Sequence, residues 1–425
     1  MLCSGTRVKE SEFFAGAKGL VQPFSRNVGN FRRPFFTAIT VAISISWHGG
    51  ARAQARVESR PQNQPPEQGL IVEPSISTTY DSNVYRVDSD NEDPTDDLIV
   101  TPQVQVTYSR DVGPRAFNLR ALVGYDQFVS ESQRSKPRLA FEGNAKFLLA
   151  GQCAFKPLAS YRQERADYGD INSATENLQH FSTLAISADC ERPAGIYPLA
   201  AYQRDTTRNA DQFDYADQTS NRYRGGVGYA RPSIGTFTAY LERVDSDRPQ
   251  LGVRNHTRSY GLTFDRAVSP ITQISADLRW MHVTSNSAAI GRYNGPGWNV
   301  RLSTTAIPRT KLTVQTQRDI VNDSLIATGF AVRTTHQIAA DVKLSELTSL
   351  GAYAQFIRRD FRQDAAIRAF SYTHDRINQF GVRASRKLSE RLDLNLDASH
   401  VDRKTNSTVS NYRAQQVTLG ATMRF

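Results

Sequence analysis

From Leu70 to Phe425, stretches of about ten residues carry apolar side chains at every second position. Phe117, Leu119, Ala121, Val123 and Tyr125 alternate with Asn118, Arg120, Leu122, Gly124 and Asp126. Ile274, Ala276, Leu278 and Trp280 alternate with Ser275, Asp277 and Arg279, and Leu392, Leu394, Leu396 and Ala398 with Asp393, Asn395, Asp397 and Ser399. Successive side chains of a strand point to opposite faces, so each stretch predicts a strand with one apolar and one polar face. A helix would scatter Asp393, Asn395 and Asp397 around its circumference and interrupt any apolar stripe.

The connections alternate too. Short turns such as Asp111–Pro114, Arg192–Gly195 and Leu388–Glu390 are rich in Gly, Pro or Ser. Longer polar connections fall between them, among them Ser130–Pro137, Ala166–Ala174, Asp205–Gln218, Val244–Asn255 and Asp360–Ser371. The pattern predicts an all-β fold: a transmembrane antiparallel up-and-down β-barrel of about 18 strands, or about 16 if glycine-broken runs such as Arg292–Thr305 fail to form strands. Eight short turns on one rim and nine long loops on the other describe a barrel of the bacterial outer membrane. Closure removes sheet edges, which lipid cannot hydrate. The apolar face then meets lipid, the polar face lines a wet bore, and no separate plug domain is expected.

The N-terminal residues read differently. Phe35–Trp47 is an apolar run of 13 residues, preceded by Arg32 and Arg33 and followed by Ala51-Arg52-Ala53. These features predict a cleavable signal peptide over residues 1–53, and the run is short for a membrane anchor. Residues 54–69 (QARVESRPQNQPPEQG) read as a flexible periplasmic linker, leaving 70–425 as the barrel. The net charge of +10 falls to +5 without the leader, which holds seven basic and two acidic residues. The remaining charges alternate in sign, which excludes nucleic acid as a partner. Mean hydropathy is −0.49, too polar for a bundle of membrane helices. Cys153 and Cys190 have neither C-x-x-C nor zinc spacing; both a disulfide and two separate thiols remain open.

The chain ends Leu419-Gly420-Ala421-Thr422-Met423-Arg424-Phe425, with Leu419, Met423 and Phe425 at alternating apolar positions. This end resembles the C-terminal strand signature of outer-membrane barrels, which implies folding by the barrel-assembly machinery. Tyr80-Asp81-Ser82-Asn83-Val84-Tyr85-Arg86 resembles the opening of the β-barrel porin-2 family, over 70–425. That resemblance implies a channel for hydrophilic solutes, associated with exopolysaccharide loci and their export components. Outer-membrane lipid and lipopolysaccharide are the expected surroundings.

The polar face supplies the candidate lumen residues Arg120, Arg222, Arg224, Asp277, Arg279, Arg301, Asp341, Arg383, Asp393 and Asp397. Glu242 and Asp319 stand among the acids opposite the basic ones. Such charges either form an eyelet that sorts solutes or pair across strands as a solvated wall. A charge facing lipid at the bilayer midplane costs about 2–4 kcal/mol, which places them inside. Tyr108, Tyr125, Tyr223, Tyr229, Tyr240, Trp280, Trp298 and Phe425 are candidates for interfacial girdles or, for some, sugar stacking in the lumen.

Two other function classes are open. His180-Phe181-Ser182 puts an imidazole and a hydroxyl on one strand face, as a lipid hydrolase would need, but without a recognisable orienting group. Long loops could instead make the barrel an adhesive or structural protein. The acidic cluster Asp81, Asp88, Asp90, Glu92, Asp93, Asp96 and Asp97 reads as a solvated loop before a cation site. No cofactor fingerprint, catalytic set or metal-ligand spacing is present, so the expectation is a channel without enzymatic activity, cofactor or metal.

Overall fold

Backbone hydrogen bonding turns the alternation into eighteen antiparallel strands: β1 (Gly69–Asp81), β2 (Asp97–Val112), β3 (Arg115–Phe128), β4 (Lys136–Leu148), β5 (Ala154–Arg165), β6 (Leu178–Asp189), β7 (Gly195–Arg208), β8 (Gln218–Arg231), β9 (Gly235–Arg248), β10 (Val253–Ser269), β11 (Thr272–Ser285), β12 (Tyr293–Thr304), β13 (Thr310–Val321), β14 (Phe330–Lys343), β15 (Thr348–Arg362), β16 (His374–Lys387), β17 (Leu392–Thr405) and β18 (Tyr412–Met423). The computed structural model describes residues 68–149, 153–165, 177–322, 329–362, 373–407 and 411–425. The expected signal peptide and all but the last two residues of the expected linker lie outside the described residues.

Each strand pairs with its chain neighbours, and β1 pairs with both β2 and β18, so the sheet closes without an edge. Eighteen is the upper of the two expected counts; the run Arg292–Thr305 holds one strand, β12, despite its glycines. The β1–β18 seam is held at both ends. Val72 and Phe425 exchange backbone hydrogen bonds at the inner end, and Ser82 N–H donates to Gln415 O at the outer end.

Burial sorts the two faces. On β3, Val123 is 60% exposed and its neighbour Leu122 is 5% exposed. Polar side chains reach partners two strands away only on the concave side, where side chains converge. Arg279 on β11 meets Asp319 on β13, and Arg383 on β16 meets Asp341 on β14. The polar face is therefore the inner one. The outer face carries Tyr223, Tyr260 and Trp280 toward the loop end, and Phe237 and Phe264, 4.7 Å apart, toward the turn end. Two such aromatic levels mark the interfaces of the apolar band.

The connection expected over Val244–Asn255 is only four residues long, because β9 runs to Arg248 and β10 starts at Val253. There the strand pairing carries on above the apolar band, so polar composition did not mean loop. Cys153, ahead of β5, and Cys190, after β6, form a disulfide that ties the turn-side ends of this hairpin.

The β12–β13 ladder is incomplete at its outer end. Pairing between β12 and β13 stops at Trp298↔Arg318, leaving the outer ends of both strands without each other. A buried cluster of Val253, Met281, Val283, Ile290, Tyr293, Phe330 and Val332 packs at that end of the wall, with Leu251 and Ile320 against it.

Candidate functional site

The inner wall is built from charges that answer one another. Glu242 on β9 accepts from Arg224 Nη2 at 2.6 Å and Arg224 Nε at 2.9 Å, and from Arg222 Nη1 at 3.4 Å. Next to it, Tyr240 Oη donates to Asp277 Oδ1 at 2.7 Å, and the Arg224 guanidinium lies 4.2 Å from the Tyr240 ring centre. Arg279 continues the network, 3.7 Å from Asp277 and 3.0 Å from Asp319. A bidentate pair joins Arg383 to Asp341 through Nε at 2.9 Å and Nη2 at 2.8 Å. Nearer the outer rim, fully buried Asp375 accepts from Arg359 and from Arg403 Nε at 3.0 Å. Removing one partner of a buried pair costs about 3–5 kcal/mol, because the other charge is left uncompensated.

Glycines make these reaches possible. Gly261 lies on β10 between Tyr240 and Arg279 in register, and a Cβ there would fall 2.6 Å from Tyr240 Cζ. Gly351 lies on β15 between Asp341 and Arg383, where a Cβ would sit 2.5 Å from Asp341 Oδ1. Gly297 on β12 is the register partner of Arg279, but a Cβ there would meet Met281 Cε at 2.7 Å. At Gly261 and Gly351 a side chain of the network crosses the intervening strand where that strand has no side chain.

The structure places the ten candidate residues as follows. Arg222, Arg224, Asp277 and Arg279 share the network around Glu242 and Asp319; Asp341 and Arg383 form their own pair. Arg120 Nε donates to Gln105 Oε1 at 2.7 Å. Asp393 is the register partner of Lys387 on β16 and Thr422 on β18. Asp397 is the register partner of Arg383, whose guanidinium nevertheless binds Asp341. Arg301 stands on the inner face between Ser275 and Gln315 and has no ion-pair partner among the described residues. Beside it runs a row that sequence reading missed. Gln315, Gln337, Gln355 and Gln379 are direct register partners on β13, β14, β15 and β16. The signal was there, one glutamine at a polar-face position in four successive strands, but only register aligns them.

Other candidates resolve differently. Tyr240 is buried on the inner face, away from both girdles. Leu419, Met423 and Phe425 are exposed on the outer face. His180 and Ser182 also face outward. His180 Nδ1 is 2.8 Å from Tyr161 Oη, and no hydrogen bond joins it to Ser182 among the described residues. The acidic cluster organises its own loop. Asp81 binds Arg86 Nη1 at 2.8 Å, and Asp97 accepts the backbone N–H groups of Ser130 at 2.9 Å and Glu131 at 2.8 Å. Among the described residues no group of His, Cys, Asp and Glu is arranged to hold a metal ion.

A closed eighteen-strand barrel with aromatic girdles and a polar inner wall is a porin-type barrel of the bacterial outer membrane. The family model described as Putative beta-barrel porin 2 matches residues 235–425, from the first residue of β9 to the C-terminus. The phrase Asp81–Tyr85 lies outside that span. No curated protein matches the sequence significantly. Similar solved structures include a BenF-like porin from Pseudomonas fluorescens Pf-5, at TM-score 0.46 and 11% identity over 84% of this chain and 99% of that one. OccAB3 of Acinetobacter baumannii gives 0.45 and 10% over 84% and 99%. OccK2 (OpdF) of Pseudomonas aeruginosa gives 0.46 and 11% over 84% and 97%.

Proposed function

We propose that this porin-like channel passes uncharged, hydroxyl-rich solutes, with polysaccharide or its fragments as the cargo class. The row of four glutamines beside Arg301 carries this reading. Each side-chain amide offers two donors and an acceptor without charge, which suits weak exchange with successive sugar hydroxyls. Passage requires sites strong enough to enter and weak enough to leave, and a multisite amide row meets that condition. The inner charges support the same reading, since Glu242, Asp277, Asp319 and Asp341 each sit against an arginine. A wall of compensated charge stays wet without strongly favouring one ion. Assembly by the barrel-assembly machinery and a link to polysaccharide export components belong to this proposal.

Planar-bilayer recording and liposome swelling test it together. Purified protein should give discrete conductance steps with weak ion selectivity, and liposomes containing it should swell in neutral oligosaccharide. Gln337→Leu with Gln355→Leu should slow sugar entry several-fold while the steps persist. Absence of conductance from the folded barrel, or sugar entry unaffected by the double substitution, would refute the proposal.

A further inference from the structure

The outer face of β9, β10 and β11 carries a polar recess directly above an apolar one. Arg243, Arg258 and His282 are consecutive register partners across these strands, flanked by Tyr223 on β8 and Asn294 on β12. With His256 and Thr284 they line a recess of about 320 Å³. Two residues lower on the same strands come Leu241, Tyr260 and Trp280, and below Tyr260 and Trp280 come Leu262 and Leu278. These apolar side chains line a concavity of about 1000 Å³.

The charges in the upper recess do not balance. Arg243 directly opposes Arg258, an arrangement that destabilises a sheet unless something neutralises it. Asp245, at the edge of the recess, offsets part of this charge, taking Arg243 Nε at 2.9 Å and His256 Nδ1 at 2.7 Å. Asp247, one step higher, pairs with Arg254 at 3.5 Å. Arg258 and His282 have no ion-pair partner among the described residues. The recess therefore sets one carboxylate against two guanidiniums, and the excess positive charge at Arg258 favours an anion.

Its height says which anion. The basic row sits two residues above Tyr260 and Trp280, roughly 5 Å along the barrel axis for tilted strands. That puts the row, with Tyr223 beside it, at the upper edge of the aromatic level, where headgroups begin, while the apolar concavity lies within the hydrocarbon. Guanidinium forks match phosphate oxygens bidentately. We propose that this face binds a phosphate-bearing lipid of the outer leaflet, with Arg243, Arg258 and His282 holding the phosphate and the concavity at Leu241, Leu262 and Leu278 taking an acyl chain. The site faces away from the bore and stands apart from the cargo proposed above.

The test uses the full-length barrel in detergent, titrated with three probes by native mass spectrometry and competition. The probes are lipid A with both phosphates, the same acylated disaccharide with its phosphates removed, and inorganic phosphate. Lipid A should bind at least about tenfold more tightly than the dephosphorylated form, and a large excess of inorganic phosphate should not displace it. Arg243→Ser with Arg258→Ser should remove that tenfold preference, and Arg258→Gln alone should reduce it if the double variant fails to fold. Arg358→Ser, at an outward arginine of β15, should leave it intact. Equal binding of the two lipids, unchanged binding by the arginine variants, or displacement by inorganic phosphate would overturn the proposal.

Discussion

Phe425 and Val72 hold the barrel closed at its inner end: each donates its backbone N–H to the other's carbonyl, both at 3.0 Å. The terminal residue is thus part of the seam between the last strand and the first. Deleting Phe425 removes both bonds and the outer-face ring, whereas Phe425→Ala removes only the ring. Deletion should lower the yield of heat-modifiable barrel on semi-native gels more than the alanine variant does.

At the other end of the seam, Asn83 is fully buried and joins three segments. Its Nδ2 donates to Val87 O at 2.9 Å and Arg413 O at 3.1 Å, and its Oδ1 accepts from Val87 N–H at 3.0 Å. Asn83→Ala leaves buried backbone groups unsatisfied and should cost about 1–3 kcal/mol in urea unfolding of the assembled barrel. Asn83→Asp, which keeps the acceptor but not the donors, should cost more than a surface control.

Gly351 and Gly225 form an internal comparison. A Cβ at Gly351 meets the Asp341 carboxylate at 2.5 Å, and one at Gly225 meets nothing within 4 Å. Gly351→Ala should destabilise by about 1–3 kcal/mol through forced displacement of the ion pair. Gly225→Ala should stay within about 0.5 kcal/mol of the parent in the same unfolding assay.

Glu242 neutralises Arg222 and Arg224 on the inner wall. Glu242→Gln leaves both guanidiniums facing the bore without their carboxylate. The reversal potential in a potassium chloride gradient should shift toward anion selectivity. No shift would mean that this network lies outside the conducting path.

Cys153 and Cys190 close a loop around the β5–β6 hairpin, with a sequence separation of 37. Alkylation before reduction should leave both thiols unlabelled in protein taken from the outer membrane. Reduction should lower stability by about 2–4 kcal/mol while leaving the barrel closed, because both strands remain paired on each side.

Much of this was legible from alternation alone. Leu119 against Arg120, and Leu278 against Arg279, told the two faces apart, because lipid tolerates only one of them. The closed barrel and a count of about 18 strands, or 16, followed from the same period. What one strand cannot show is its register against the next. The glutamine row, the basic row at Arg243, Arg258 and His282, and the reach from Arg383 across Gly351 to Asp341 appear only once eighteen strands are aligned. Tyr240 misled because a tyrosine in an alternating stretch suits a girdle or a lumen equally well. Gly261, on the facing strand, decides between them. Val244–Asn255 read as loop because polar residues on a hairpin above the membrane look like residues between strands.

The two glycine crossings have a mechanical consequence. Tyr240 and Arg383 lie along the sheet where their neighbouring strands are bare. The braces thus run around the cylinder as hoops and stiffen its girth.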